Sequence, residues 1–151
     1  MQVIAYDPYL PDAVFDECGV WRVTLEELYA NAEFISVNAP LTKETYHLID
    51  ASAFAQMKPE AVLVNTARGA LVDENALVEA LLTKKIRAAA IDVYENYPTD
   101  PESVLLKPEN LILTPHIAWN TVESYEALHR EVTEEVVRFL EGKPNLNVVN
   151  R

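Results

Sequence analysis

A chain of 151 residues, half of them apolar, is long enough to form one domain with a single buried core. Its formal charge of −12 opposes binding to nucleic acid or to anionic membranes, and its apolar runs are far shorter than the roughly 20 residues that span a bilayer. The single cysteine, Cys18, excludes an internal disulfide framework, and no metal-ligand spacing surrounds it. We therefore expect a cytoplasmic protein without a metal site.

Short apolar, β-branched runs recur along the chain with helical segments between them, which is the pattern of a parallel sheet. The runs are nearly continuous in apolar residues, as expected for strands that helices cover on both faces. The predicted strands are residues 3–6, 34–37, 61–65, 88–93 and 111–114. The sequence therefore predicts an α/β fold with a sheet of about five strands.

Two of the intervening helices begin with side chains that can cap them. Thr24 and Glu27 form a potential capping box at the start of a helix over residues 25–30. Asp73 is placed to cap a second helix over Glu74–Leu82.

Two further helices are predicted from their boundaries and periodicity. A short helix follows Asp50, and Pro59 closes it before the next strand. The longest helix covers about Val122–Leu140, where apolar residues recur every three or four positions, and Gly142 and Pro144 end it.

Polar residues stand at the ends of several predicted strands, where parallel α/β sheets bind their ligands. Asp7 follows the first strand, and an acid in this place can bind the ribose hydroxyls of a dinucleotide. Arg68, Asp92 and His116 follow three later strands. Each residue also has an ordinary explanation by itself. Asp7 could simply end its strand in a turn, and Arg68 could be a solvated cation. Asp92 could cap a helix or turn, and His116 could be an ordinary loop histidine. Their common location predicts one ligand crevice.

Several segments resemble a known family in their order and spacing. These are residues 64–74, 90–93 and 114–118, together with 39–42 and Thr45. They are similar to the signatures of the D-isomer-specific 2-hydroxyacid dehydrogenases, and the resemblance covers essentially the whole chain. It implies a Rossmann-like, doubly wound NAD-binding domain over residues 1–151 without a substrate domain. The implied reaction is the NAD-dependent reduction of a small 2-oxo acid to a D-2-hydroxy acid by hydride transfer.

The resemblance also implies roles for individual residues. The cofactor-binding residues would be Asp7 at the adenosine ribose, Ala39 and Pro40 at the adenine side, and Thr66, Ala67 and Asp92 at the nicotinamide end. Arg68 would hold the substrate, because a guanidinium is always charged and matches a carboxylate bidentately. His116 would give a proton to the ketone oxygen, because an ordinary imidazole gains and loses a proton near neutral pH.

One departure from the family concerns the acid that pairs with the catalytic histidine. The family places it five residues after the aspartate, and here that position holds Tyr97. A carboxylate there orients the imidazole, so a phenol predicts a less effective His116 and weak turnover. Formate-oxidising relatives carry glutamine at this position, so the replacement of the acid does not exclude hydride transfer. Glu95 or Asp100 could substitute if the loop is rearranged.

A second departure concerns the turn that binds the cofactor's pyrophosphate. The glycines, Gly19, Gly69 and Gly142, are too scattered to form the family's glycine-rich turn. The family places this turn, with its strand and helix, immediately before the position of Met1. We therefore expect a sheet that lacks the first βα unit, and a reduced affinity for NAD.

The absent strand would be central in a sheet of the usual 3-2-1-4-5-6 order. In that order residues 34–37 fall on the same side of the gap as residues 3–6. We expect the gap to close by direct pairing of residues 3–6 with residues 61–65, or by strand exchange between the chains of a homodimer.

Two functions from different classes fit these residues. The first is a 2-hydroxyacid dehydrogenase with little activity in the isolated chain, favoured by Arg68 and His116. The second is a non-enzymatic binding or oligomerisation module, favoured by Tyr97 and the scattered glycines. Trp119 resembles glycerate and hydroxypyruvate enzymes, although a tryptophan beside a helix start is as often ordinary packing. The expected partners are a small 2-oxo or 2-hydroxy acid and a second copy of the chain.

Overall fold

Parallel strands alternate with helices along the chain, which confirms the predicted α/β class. A computed structural model gives the structure of residues 1–95 and 101–148. The chain divides into two units, Met1–His116 and Ile117–Arg151. The expectation of a single partial domain over residues 1–151 stays a prediction.

The first unit contains the strands and most of the helices. In chain order these are β1 (Ile4–Ala5), α1 (Asp12–Cys18), β2 (Trp21–Arg22), α2 (Leu25–Asn31), β3 (Phe34–Val37), α3 (Ala51–Gln56), β4 (Val62–Asn65), α4 (Glu74–Leu82), β5 (Ala88–Ile91) and β6 (Leu111–Leu113). Short 3-10 turns cover Gly69–Leu71 and Val104–Leu106. Each predicted strand is present, most with somewhat shorter bounds, whereas α1 and β2 are additional.

The strands form two separate parallel sheets in the part of the chain that the structure describes. One has the order β3-β4-β5-β6, and the other pairs β1 with β2. The predicted pairing of residues 3–6 with 61–65 is therefore wrong, because β4 is hydrogen-bonded to β3 on one edge and to β5 on the other. The expectation that residues 34–37 lie on the same side of the gap as residues 3–6 is also wrong, because β3 pairs directly with β4. Strand exchange between chains stays a prediction.

The hydrophobic core lies along the four-stranded sheet and includes side chains of both β3 and β4. Ile35 and Val37 alternate with exposed residues on β3, and both are 5% exposed in the core that also contains Leu63 of β4. Other fully buried side chains come from α3, from α4 and from the segments that follow them: Phe54, Leu71, Leu77, Leu81, Ile86 and Leu105. Burial of each such side chain contributes about 1.5–3 kcal/mol. The core therefore fixes the ends of β3, β4 and β5 relative to one another.

The predicted helix starts are formed by side-chain caps. Thr24 Oγ1 accepts from the Glu27 backbone N–H at 3.1 Å, and the Glu27 carboxylate accepts from the Thr24 N–H at 2.9 Å, which completes the capping box. Asp50 and Asp73 accept backbone N–H groups from the first turns of α3 and α4. Each cap contributes about 1 kcal/mol.

The second unit contains the longest helix, α5 (Val122–Leu140), as predicted. Thr121 caps its start, and Gly142 beyond its end has a φ of 69°, the left-handed conformation that glycine adopts readily. The apolar side chains that recur along it are exposed: Tyr125, Leu128, Val132, Val136 and Phe139. Within residues 1–95 and 101–148, no helix combines the length and apolarity needed to cross a membrane.

Candidate functional site

The predicted site residues that the structure describes lie in the first unit, after the carboxyl ends of its strands. Asp7 follows β1; Ala39 and Pro40 follow β3; Thr66, Ala67 and Arg68 follow β4; Asp92 follows β5; and His116 follows β6. Because β3 to β6 are adjacent and parallel, the residues after these four strands share one edge of the sheet.

The Asp7 carboxylate organises the turn after β1. Its Oδ1 accepts the backbone N–H groups of Tyr9 at 2.8 Å and Leu10 at 3.1 Å, which forms an Asx-turn. The Tyr9 hydroxyl donates to Glu44 Oε2 at 3.1 Å, and this bond to the Glu44 carboxylate raises the pKa of the Tyr9 phenol. Tyr9 therefore links the Asp7 turn to the segment after β3, the two places predicted to bind adenosine.

The side chain of Arg22 lies beside the same turn and was not expected from the sequence. Its Nη1 donates to Asp12 Oδ1 at 2.6 Å, and its Nη2 donates to the Asp7 carbonyl oxygen at 3.2 Å. The guanidinium carbon also lies 5.3 Å from the centroid of the Phe15 ring. An open cavity of about 450 Å³ adjoins it, lined in part by Tyr6. No pattern around Arg22 in the sequence distinguishes it from a solvated cation.

The segment after β3 is closed by threonine side chains. Thr45 Oγ1 donates to the Pro40 carbonyl oxygen at 2.6 Å and accepts from the Thr42 backbone N–H at 2.8 Å. Ala39 packs against the hydrophobic core, whereas Pro40 is exposed. The predicted adenine-side residues therefore lie on a locally fixed turn.

A buried asparagine fixes the turn that carries Arg68. Asn65 is 1% exposed; its Oδ1 accepts from the Ala67 N–H at 3.0 Å and its Nδ2 donates to the Arg68 carbonyl oxygen at 2.9 Å. The Arg68 side chain is exposed, and its Nη1 donates to the Ala67 carbonyl oxygen at 2.6 Å. A polar residue that ends an apolar strand is the signal by which Asn65 could have been found from the sequence.

Asp92 joins the ends of β5 and β6. It is 3% exposed and accepts from the Thr114 hydroxyl, while the Tyr94 hydroxyl donates to the Thr114 carbonyl oxygen at 2.8 Å. His116 is exposed, and its backbone N–H donates to the same carbonyl at 3.0 Å. The φ of His116 is 56°, which costs a non-glycine residue on the order of 1 kcal/mol. The strand ends thus hold the histidine in a constrained turn.

Gly69 allows the segments after β4 and β5 to touch. A Cβ at this position would lie 1.9 Å from the Tyr94 carbonyl carbon and 2.3 Å from the Glu95 backbone nitrogen. No side chain fits this space. The backbone beside Arg68 therefore packs directly on the backbone that follows Asp92.

Glu95 connects three segments at this edge of the sheet. Its Oε1 accepts from the Tyr46 hydroxyl at 2.8 Å, its Oε2 lies 3.2 Å from His47 Nε2, and its backbone N–H donates to Glu74 Oε1 at 2.8 Å. The hydrogen bond to Glu95 raises the pKa of Tyr46. Both carboxylate oxygens of Glu95 are thus engaged, and its substitution for the family's acid stays a prediction. The other residues of that prediction, Tyr97 and Asp100, lie outside the described residues.

Comparison with known proteins identifies the family of this arrangement. Residues 1–118 match the family model described as "D-isomer specific 2-hydroxyacid dehydrogenase, NAD binding domain". A D-3-phosphoglycerate dehydrogenase of Archaeoglobus fulgidus is 42% identical over 99% of this chain and 28% of its own length. A glyoxylate reductase of Korarchaeum cryptofilum is 39% identical over 100% of this chain and 46% of its own length. The chain thus spans less than half the length of these curated relatives.

Solved structures agree in fold over the same extent. The holo form of Rhodotorula graminis D-mandelate dehydrogenase has a TM-score of 0.88 at 36% identity and covers 100% of this chain and 44% of its own. D-lactate dehydrogenase with NAD+ from Lactobacillus jensenii has a TM-score of 0.87 at 30% identity, over 99% of this chain and 48% of its own. The chain therefore belongs to the D-isomer specific 2-hydroxyacid dehydrogenase family and matches its NAD binding domain.

Proposed function

We propose that this chain supplies the cofactor site and the catalytic pair for the NAD-dependent reduction of a small 2-oxo acid to a D-2-hydroxy acid. The observation that carries the proposal is the arrangement at one sheet edge. An asparagine-closed turn presents Arg68 after β4, and a constrained turn presents His116 after β6. The buried carboxylate of Asp92 follows β5, the strand between β4 and β6.

The residues present fit the two ends of the cofactor. The half-buried Asp7 carboxylate fits the hydroxyls of an adenosine ribose, with Ala39 and Pro40 on the adenine side. Thr66, Ala67 and Asp92 are the residues for the nicotinamide end. When bound, NADH supplies the hydride. The glycines within residues 1–151 are too scattered to form a pyrophosphate-binding turn, so we expect these residues by themselves to bind NAD weakly.

Arg68 and His116 would perform the remaining chemistry. The Arg68 guanidinium would bind the substrate carboxylate bidentately and polarise the adjacent carbonyl. As the hydride adds to the carbonyl carbon, the carbonyl oxygen would take a proton from the protonated His116 imidazole, which leaves neutral histidine and the hydroxy acid. Oxidation would follow the same steps in reverse.

The test uses the purified chain with two site variants and two matched controls. NADH binding is followed by fluorescence, and the reduction of glyoxylate, hydroxypyruvate and pyruvate by NADH absorbance. R68Q and H116N are expected to lower any turnover by at least about 100-fold, whereas R130Q and H129N, at exposed positions on α5, should leave it unchanged. Absence of NADH binding, or equal turnover in all variants, would contradict the proposal. A rate typical of complete enzymes would contradict the expected weakness of the isolated chain.

A second candidate is a binding or oligomerisation module. Two observations favour it. Apolar side chains along α5 are exposed, and among the described strands β3 is hydrogen-bonded to a neighbour along one edge only. This module would form a homodimer, by strand exchange at β3 or through α5. Light scattering from about 1 to 100 μM tests it, with V132E to disrupt a contact through α5. A monomer throughout this range would refute the dimer.

A further inference from the structure

Arg22 lies at the ribose end of the proposed cofactor site. Its guanidinium already forms an ion pair with the Asp12 carboxylate. Arg22 lies on β2, where its backbone pairs with Ala5 of β1, two residues before Asp7. Its Nη2 reaches the Asp7 carbonyl oxygen, and its Nη1 lies 2.6 Å from Asp12 Oδ1. The guanidinium therefore lies against the backbone of the residue that is proposed to bind the ribose.

An acid and an arginine at this strand end have opposite preferences for the group at the ribose 2′ position. In doubly wound sheets an acid at this strand end binds a free ribose 2′-hydroxyl, whereas a nearby arginine accommodates a 2′-phosphate. Here both groups are present at the same place. A 2′-phosphate would meet the Asp7 and Asp12 carboxylates, and the guanidinium that could attract it is bonded to Asp12.

We infer that Asp12 is a specificity-determining residue, because its ion pair with Arg22 withholds the guanidinium from a 2′-phosphate. The site therefore takes adenosine nucleotides whose ribose 2′-hydroxyl is free. This inference rests on the proposed function, since it concerns the adenosine end of that cofactor site.

Removal of the Asp12 charge should leave Arg22 in place and available. The Phe15 ring lies 5.3 Å from the guanidinium, and the Asp7 carbonyl oxygen accepts from Nη2, so two of its contacts do not involve Asp12. Asp12 itself is highly exposed, with 81% of its side-chain surface accessible, so its replacement leaves the core untouched. D12N thus creates an arginine that can bind phosphate beside the ribose site.

The experiment measures the affinities of the full chain for 5′-AMP and for adenosine 2′,5′-bisphosphate by ¹⁵N NMR titration. In the wild type, 5′-AMP should bind more tightly. D12N should raise the relative affinity for the bisphosphate about fivefold, the order of an exposed charge pair. The double variant D12N/R22Q should lose this gain. D16N removes the same charge from an exposed position on α1 and should leave the ratio as in the wild type.

The outcomes separate the inference from the function on which it rests. A gain in D12N that R22Q abolishes supports the inference, and D12S provides a second variant if D12N perturbs α1. An unchanged ratio in D12N, or an equal gain in D16N, overturns the inference while 5′-AMP binding sustains the proposed function. If 5′-AMP does not bind the wild type, the inference and the adenosine part of the proposed function both fall.

Discussion

Replacing Gly69 by alanine adds one carbon at the point where two segments of the candidate site touch. At its ideal position the new Cβ lies 1.9 Å from the Tyr94 carbonyl carbon, 2.1 Å from its oxygen and 2.3 Å from the Glu95 nitrogen. Ordinary contacts begin at 3.4 Å, so the two backbones must separate by about 1.5 Å. The φ of Gly69 is not positive, so alanine fits its backbone conformation and the cost of the substitution is steric.

The loss in free energy of unfolding depends on the backbone of Tyr94 and Glu95, which must move. Overpacking costs about 1–3 kcal/mol even where flexible side chains can yield, and here the obstructing atoms belong to the backbone. Displacing Tyr94 and Glu95 also strains the bonds from the Tyr94 hydroxyl to Thr114 and from the Glu95 N–H to Glu74, each worth about 1 kcal/mol. We expect G69A to lower the free energy of unfolding by about 3–5 kcal/mol, a large part of the stability of a small domain.

Urea unfolding followed by circular dichroism measures this loss, and G19A is the matched control. Gly19 has a φ of 64° and no atom within 4 Å of an added Cβ, so alanine there should cost only about 1 kcal/mol for its left-handed backbone. The reasoning is refuted if G69A costs no more than G19A.

Three further predictions concern titration and capping. E95Q should lower the pKa of Tyr46 towards its ordinary value, because the carboxylate that accepts its hydrogen bond is lost; Tyr9 should titrate unchanged in the same NMR experiment. T24A should cost about 1 kcal/mol in urea unfolding through loss of the capping box, and no cost would contradict that role. Burial raises the pKa of Tyr29 to about 12. Because the unfolded phenol ionises at about pH 10, stability on the order of 2 kcal/mol should be lost as the pH rises from about 10 to about 12. Y29F should lack this alkaline loss, and equal pH profiles for both proteins would contradict it.

Local features of the fold could be predicted because their causes lie within a few residues of sequence. The Thr24–Glu27 capping box, the Asp73 cap and the glycine that follows α5 each depend on groups in the same turn. Periodicity likewise predicted Val122–Leu140, since a long amphipathic helix repeats its pattern several times.

The order of the strands could not be obtained in this way, and the error has a specific cause. Trp21–Arg22 is a two-residue strand, too short for any periodicity, and it was not predicted. If this strand is omitted, Phe34–Val37 counts as the third strand of the 3-2-1-4-5-6 order. That numbering puts it on the wrong side of the sheet. The structure instead joins it to Val62–Asn65 through four paired positions.

The candidate site shows the same division between local and distant causes. Arg68, Asp92 and His116 could be placed because strand ends lie at a known edge of a parallel sheet. The bond between Glu95 and His47 joins residues 48 positions apart, and it depends on how two loops approach each other. No spacing in the sequence encodes such a contact.

The two arginines at the ends of the proposed site illustrate why net charge does not determine which anions a protein binds. The chain carries a charge of −12, which disfavours every anionic ligand at long range. Arg22 is paired with Asp12, whereas Arg68 has no carboxylate within ion-pair distance among residues 1–95 and 101–148. A guanidinium that is already paired has less to gain from a second anion than one bonded only to a neutral carbonyl. The immediate neighbours therefore leave the Arg68 guanidinium more available to an anion, such as the proposed substrate carboxylate, than the Arg22 guanidinium, although the same overall field acts on both.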